Sequence, residues 1–170
     1  MRSPRPVIVR RRSPDVTAET IRILVDADGC PVKQEVFKVA ERYGLTTVLV
    51  ANHWLNAPAG PKIERVVVEE GLDRADDWIA AEAGPDDVVV TADVPLADRC
   101  VKAGARVVAP TGRAFTESSI GSDLAMRNLM TGLRETGQIR GGGRPFTKAD
   151  RSRFLQALDQ AVQALRRRST

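Results

Sequence analysis

Short runs of β-branched residues alternate along the chain with longer stretches whose apolar positions recur at helical spacing. Ile21-Arg22-Ile23-Leu24-Val25 predicts a first strand, closed by Asp26-Ala27-Asp28-Gly29. A helix is predicted next. Pro31 suits its first turn, Val32, Val36, Phe37, Val39 and Ala40 form its apolar side, and Gly44 supplies the stop. Thr46 to Val50 predicts a second strand, and Ile63 to Val68 a third, reached through a loop with Pro58, Gly60 and Pro61. Leu72 to Ala83 reads as a helix ended by Gly84-Pro85. Asp87-Val88-Val89-Val90-Thr91 is a fourth strand, β-branched enough to be central. Pro95 to Ala103 predicts a helix stopped by Gly104, and Arg106 to Ala109 a fifth strand stopped by Pro110. This order predicts an α/β fold: βαβ units around a mostly parallel central sheet flanked by helices.

The remainder reads as helical. Ile120 to Leu133 is one helix, with Leu124, Leu129, Met130 and Leu133 offering apolar contacts. A loop from Thr136 to Pro145 holds Arg140, Gly141, Gly142, Gly143 and Arg144. Thr147 then opens a last helix, with Asp150 placed for a capping box and Phe154, Leu155, Leu158, Val162 and Leu165 as its buried stripe. Arg166-Arg167-Arg168 suits a helix C-terminus. Residues 1–20 read as a flexible basic leader broken by Pro4, Pro6 and Pro14, in which Val7 to Val9 is the only edge-strand candidate. The expected organisation is that leader followed by a single domain over residues 21–168.

Composition narrows the class. The chain has 170 residues, 42% hydrophobic and 28% charged, which excludes wholesale disorder. No apolar run is long enough to span a bilayer, and the basic start lacks the sustained apolar core of a signal peptide. Cys30 and Cys100 are too few for a disulfide framework, so a reducing cytoplasm is expected. The net charge of +4 hides a strong division. Residues 1–20 carry +3, residues 21–98 carry −8 and residues 99–170 carry +9. Such a distribution suits a carboxylate cluster that takes a cation, beside a basic surface that takes a polyanion. Attraction between the two halves of one fold is the plainer account.

The acidic positions fall where strands end. Asp26 and Asp28 close the first strand, Asp93 follows the fourth, and Asp98 lies one turn into the next helix. Asp73, Asp76 and Asp77 share one helix face by their spacing. Near a helix N-terminus like charges are tolerated, and for Asp73 alone charge matching is explanation enough. Carboxylates converging from several strand ends raise one another's pKa unless a divalent cation neutralises them. All-oxygen donors favour Mg2+ or Mn2+ over zinc, and such ions assist hydrolysis of phosphodiesters. Asp26, Asp28, Asp73, Asp76, Asp77 and Asp93 are therefore the candidate catalytic set, with Asp26, Asp76, Asp77 and Asp93 the candidate metal ligands.

Phosphate contacts are expected from Arg113, Arg127, Arg134, Arg140, Arg144, Lys148 and Arg151, with Asn52 in the crevice. The glycine run at 141–143 does not match a Walker A loop, because no Lys-Ser or Lys-Thr follows at the required offset. A flexible connector is its plain reading. Cys30 beside a helix N-terminus could have a depressed thiol pKa and pair with His53, the only histidine, although a small buried helix-start residue is the simpler assignment. Trp54 could stack on a base or serve as a partial-core residue.

Asp26-Ala27-Asp28-Gly29-Cys30-Pro31-Val32, Val50-Ala51-Asn52, Gly71-Leu72-Asp73-Arg74-Ala75-Asp76-Asp77 and Thr91-Ala92-Asp93-Val94-Pro95-Leu96-Ala97 resemble the bacterial YaiI/YqxD family. Gly141-Gly142-Gly143-Arg144-Pro145-Phe146, with Asp150-Arg151 and Phe154, resembles its C-terminal signature. The chain departs from the family's pattern at residues 107–112 and 114–116, where an asparagine-proline-arginine-glycine stretch and a tyrosine are commoner. That family is similar in fold to PIN-like nuclease domains, which hold Mg2+ or Mn2+ on acidic strand ends and cut RNA. By that resemblance the first acidic position is Asp26, the one after the central strand is Asp93, and Asp73, Asp76 and Asp77 offer the intermediate one. The resulting expectation is a Mg2+- or Mn2+-dependent phosphodiesterase acting on RNA or another phosphate-bearing substrate. A non-catalytic nucleic-acid-binding module and a phosphatase for a small metabolite are the alternatives.

Overall fold

The computed structural model describes residues 20–69, 71, 73–140 and 144–168. In chain order the elements are β1 (Arg22–Asp26), α1 (Lys33–Tyr43), β2 (Thr46–Ala51), β3 (Ile63–Val67), α2 (Arg74–Glu82) and β4 (Asp87–Val90). They continue with α3 (Val94–Lys102), β5 (Arg106–Val108), β6 (Ala114–Phe115), α4 (Ile120–Glu135) and α5 (Lys148–Arg168). The strands form one six-stranded sheet in the order β3-β2-β1-β4-β5-β6. All neighbours are parallel except β5 and β6. The expected α/β architecture is therefore present, with an antiparallel edge of two residues that the sequence pattern did not announce.

Alternation along the strands builds two cores. In β1 and β4, Ile23, Val25, Val88 and Val90 point to one face and pack with Val36 and Val39 of α1 and Phe154, Leu158 and Val162 of α5. Leu24 and Val89 point to the other face, beside Ile79 of α2 and Leu96 and Cys100 of α3. Both faces of the central strands are covered, which accounts for their almost wholly apolar sequences.

At the amino ends of β1 and β4 a buried ion pair anchors the sheet. Arg22 Nε and Nη2 donate to Asp87 Oδ1 and Oδ2 at 3.1 and 3.2 Å, and Nη1 reaches Glu82 Oε1 at 3.0 Å. Burial opposes the Arg22 charge, but hydrogen bonds and attraction from Asp87 and Glu82 outweigh it and hold its pKa above the ordinary value. Gly44 ends α1 in the left-handed region, at φ 65°. At the start of α5, Asp150 Oδ2 accepts from Thr147 N at 2.9 Å while Asp150 N donates to Thr147 Oγ1 at 3.1 Å, the reciprocal box that the sequence suggested.

The chain leaves β1 for β2 and β3 on one side of the sheet, then returns to β4 on β1's other side. That reversal opens a crevice beyond the carboxyl ends of β1 and β4, where ligands bind in open α/β sheets. Apart from Thr20, the expected leader lies outside the described residues, as do Gly141, Gly142 and Gly143. Among the described residues no helix is long and apolar enough to cross a membrane.

Candidate functional site

The site grows from the ends of three neighbouring strands. Asp26 is the last residue of β1, and the chain then turns through Asp28 and Gly29, the latter at φ 71°. Asp28 Oδ2 accepts from the backbone N of Asn52 at 2.8 Å, tying this turn to the end of β2. The Oδ1 of Asn52 is buried without a donor among the described residues. Thr91, 1% exposed at the end of β4, donates its hydroxyl to Asp26 Oδ2 at 2.9 Å and accepts from Asp93 N at 3.0 Å. Asp93 Oδ1 in turn accepts from Leu96 N at 2.9 Å, so this aspartate is also the N-cap of α3. Thr91 ties the Asp26 carboxylate to the Asp93 backbone, a role that sequence patterning alone missed.

Helix α2 brings the remaining acids. Asp73 sits at its N-cap in the left-handed region, φ 61°, with no side-chain cap hydrogen bond. Asp76 is half-buried in the first turn, and its pKa is pushed up to about 6 by burial and by Asp93, Asp26 and Asp73, with Arg99 opposing. Burial likewise raises Asp26, Asp93 and Asp28 add to the rise, and the Thr91 hydrogen bond opposes it. Asp26, Asp76 and Asp93 thus form one electrostatically linked group, with Asp28 and Asp73 at its margins. Asp77 stands apart on the exposed side, where Arg99 Nη1 donates to its Oδ1 at 2.8 Å.

Beside this group lies a cleft of about 730 Å³. Asp26, Asp28, Thr91, Arg113, Arg127 and Arg134 are among its lining residues, and Phe115, Met126, Met130 and Phe146 supply apolar wall. Arg113 donates to Asp123, a half-buried cleft-lining carboxylate that was not among the sequence candidates. Its place in the first turn of a helix reads as ordinary charge matching, which is why no motif signalled it.

Several expected residues lie elsewhere. Arg140 and Arg144 are not part of the cleft lining. Arg144 Nη2 instead donates to the buried Asp150 at 2.9 Å, beside Arg153 at 2.6 Å. The Thr147 amide, then these guanidinium groups, hold the Asp150 carboxyl well below the usual carboxylate range. Arg151 donates to Pro31 O at 2.6 Å and lies 5.0 Å over the Phe146 ring. The helix-terminus argument for Cys30 is corrected: burial raises its thiol pKa, so a neutral thiol lines the cleft. His53 is exposed. Trp54 is not a core residue either, being 72% exposed with Arg65 stacked 5.4 Å from its ring centre.

Carboxylate oxygens are the donors that hard divalent cations take. Asp26 and Asp93 each spend one oxygen on a hydrogen bond and keep the other, and Asp76 accepts no hydrogen bond among the described residues. Burial is the first cause of the raised Asp26 and Asp76 carboxyls, and neighbouring carboxylates add to it. As the side chains stand, no three described Asp, Glu, His or Cys groups form a closed ligand cluster. Mg2+ commonly needs only one or two carboxylates, with water and substrate oxygens completing its shell.

The profile of the family described as "Uncharacterized BCR, YaiI/YqxD family" matches residues 24–164. The chain belongs to the YaiI/YqxD family. A UPF0178 protein of Nitrobacter winogradskyi is 57% identical over 147 residues, covering 86% of this chain and 94% of the relative. One from Rhodopseudomonas palustris strain BisB18 is 58% identical over 146 residues, with coverages of 86% and 94%. One from Gluconobacter oxydans is 57% identical over 152 residues, with 89% and 87% covered. No solved structure matches the chain. The YaiI/YqxD match spans nearly the whole sheet, so the strand-end carboxylates, Thr91 and the cleft all lie within it.

Proposed function

We propose that this YaiI/YqxD chain is a Mg2+- or Mn2+-dependent phosphodiesterase acting on RNA, with a PIN-like use of its strand-end acids. The observation that carries the reading is that Asp26 and Asp76 are both raised, by burial first and by neighbouring carboxylates after it, and that Asp26 lines a cleft also lined by Arg113, Arg127 and Arg134. Carboxylates alone would repel a phosphodiester; arginines alone would only bind it. Together they suit a site that admits a phosphate and then activates water beside it.

In this reading one or two of Asp26, Asp76 and Asp93 would hold the cation, with water and substrate oxygens completing its shell, and it would supply charge neutralisation and a lowered water pKa. Asp28, facing the cleft with one oxygen tied to Asn52, orients the attacking water and takes its proton. Water oxygen forms the new bond to phosphorus as the bond to the leaving ribose oxygen breaks, and that oxygen departs as a hydroxyl by taking a proton from solvent in the open cleft. Arg113, Arg127 and Arg134 balance the phosphate charge and position the strand. Asp77 stays on the rim with Arg99. A cleft of about 730 Å³ is also sized for one nucleotide. That favours, as a second reading, phosphate release from a small phosphorylated metabolite by the same residues.

The test is cleavage of labelled single- and double-stranded RNA and of mononucleotides, with Mn2+, Mg2+ or chelator, beside Asp26→Asn and Asp93→Asn. Metal-dependent cutting that falls by at least about 100-fold in both variants supports the proposal. Turnover of mononucleotides alone selects the second reading. Salt-sensitive RNA binding with no turnover under any metal replaces both with a binding module.

A further inference from the structure

A second cavity, of about 640 Å³, shares no lining residue with the cleft. The cleft opens at the carboxyl ends of β1 and β4, whereas this cavity lies at the amino ends of β2 and β3, where Thr47 pairs in register with Ile63. One wall is α1, with Phe37 and Lys38, and the other is the loop before β3, with Pro58, Pro61 and Lys62.

Thr47 is the residue here that the fold does not explain. It is 0% exposed, and its backbone N already donates to Lys62 O at 2.8 Å, yet its Oγ1 has no hydrogen-bond partner among the described residues. Leu49 and Ala51, which follow it on the same face of β2, are apolar core residues. Valine would fill the same volume without leaving a hydroxyl unpaired, so for folding alone the threonine is a cost. The charges of the cavity favour an anion. Lys38, Lys62 and Glu41 are its charged lining residues. Lys62 Nζ spends one N–H on Gly44 O at 2.7 Å, and Lys38 makes no hydrogen bond or ion pair among the described residues. Phe37, Pro61 and Ile63 offer apolar surface to the rest of a ligand.

We infer that this cavity is a binding site for a small amphipathic acid. Its apolar body, of one aromatic ring or a short acyl chain, packs against Phe37 and Ile63. Its carboxylate lies by Lys38 and Lys62, and a polar oxygen at its other end takes the Thr47 hydroxyl. That hydroxyl is sealed from water in the unliganded chain, so the ligand reaches it by shifting the loop before β3 away from α1. The site stands apart from the strand-end carboxylates and requires neither a metal nor RNA.

Amide chemical-shift mapping on the labelled full chain tests this. The probes are p-hydroxybenzoate and p-hydroxyphenylpropionate, each beside its counterpart without the ring hydroxyl and its carboxamide. Shifts should cluster at Phe37, Thr47, Gly60 and Ile63 and leave Gly29, Thr91 and Arg113 in the cleft unmoved. The ring hydroxyl and the carboxylate should each tighten binding by about 10-fold. Thr47→Val should abolish the advantage of the hydroxyl while the melting temperature of the free chain stays the same or rises. Lys38→Gln, at an exposed position, should weaken the acids and leave the carboxamides unchanged. No shift at the cavity residues up to about 10 mM of either acid overturns the inference. So do shifts confined to the cleft, which assign the acids to its arginines, and a hydroxyl advantage that survives Thr47→Val. Failure of the RNA-cleavage assay has no bearing on any of these readouts.

Discussion

Replacing Asp76 by asparagine is expected to stabilise the metal-free chain at neutral pH. The folded carboxyl titrates at about 6 instead of 3.8, raised by burial and by Asp93, Asp26 and Asp73. At about 1.36 kcal/mol per pKa unit, the shift corresponds to roughly 3 kcal/mol. Asp76 is only half-buried, and solvent screening reduces the penalty to about 1 kcal/mol. Below the unfolded pKa both states hold the proton and nothing is lost. As pH rises from about 4 to about 6 the unfolded chain gives up its proton first, so folding stability falls. Above about 6 the whole penalty is present. Urea denaturation with chelator at pH 5 and pH 7.5 should show the Asp76→Asn advantage growing with pH, to about 1 kcal/mol or 2–4 °C in melting temperature. Saturating Mg2+ should then reverse the order, because binding to the native wild type adds about 2.7 kcal/mol at a hundredfold excess over Kd. An asparagine variant no more stable than wild type at pH 7.5, or an advantage independent of pH, would refute the reasoning.

Three further outcomes follow from the same geometry. Arg22→Met leaves the buried Asp87 without its guanidinium and should cost about 3–5 kcal/mol in chemical denaturation; a loss below about 1 kcal/mol contradicts the buried pairing. Gly112 sits at φ 90°, and a Cβ at that position would lie only 2.6 Å from the backbone carbonyl carbon of Arg153, so Gly112→Ala should lower stability by roughly 2–4 kcal/mol in the same denaturation assay. The Cys30 thiol, raised by burial, should react with iodoacetamide at pH 7 more slowly than free cysteine, and a faster reaction would restore the thiolate that the helix start suggested.

The strands were legible because burial on both faces leaves its mark on every residue: Val88-Val89-Val90 has no other use than a central strand. The two residues of β6 carry no such mark, since Ala114-Phe115 pairs only with β5 and is too short to show a period. Periodicity found α4, but Leu129, read as an apolar contact, faces solvent. The aspartates at strand ends were readable as a group, because parallel strands must deliver their last residues to the same edge. Thr91 and Asp123 were not, because their importance lies in partners 65 and 10 positions away. Arg144 was readable only as a basic residue beside a glycine run, and its bond to Asp150 was not.

The packing of α5 against α1 has a consequence for biosynthesis. Tyr43 Oη donates to Asp159 Oδ1 at 2.7 Å, and Phe154, Leu158 and Leu165 share a core with Val36 and Val39. A chain translated only as far as α4 therefore has all six strands but lacks one of the two helices that shield one side of them. Its central valines lack the cover of Phe154, Leu158 and Val162 until α5 leaves the ribosomal exit tunnel and docks. During that interval the nascent chain is a client for whatever holds apolar sheet surfaces at the tunnel mouth.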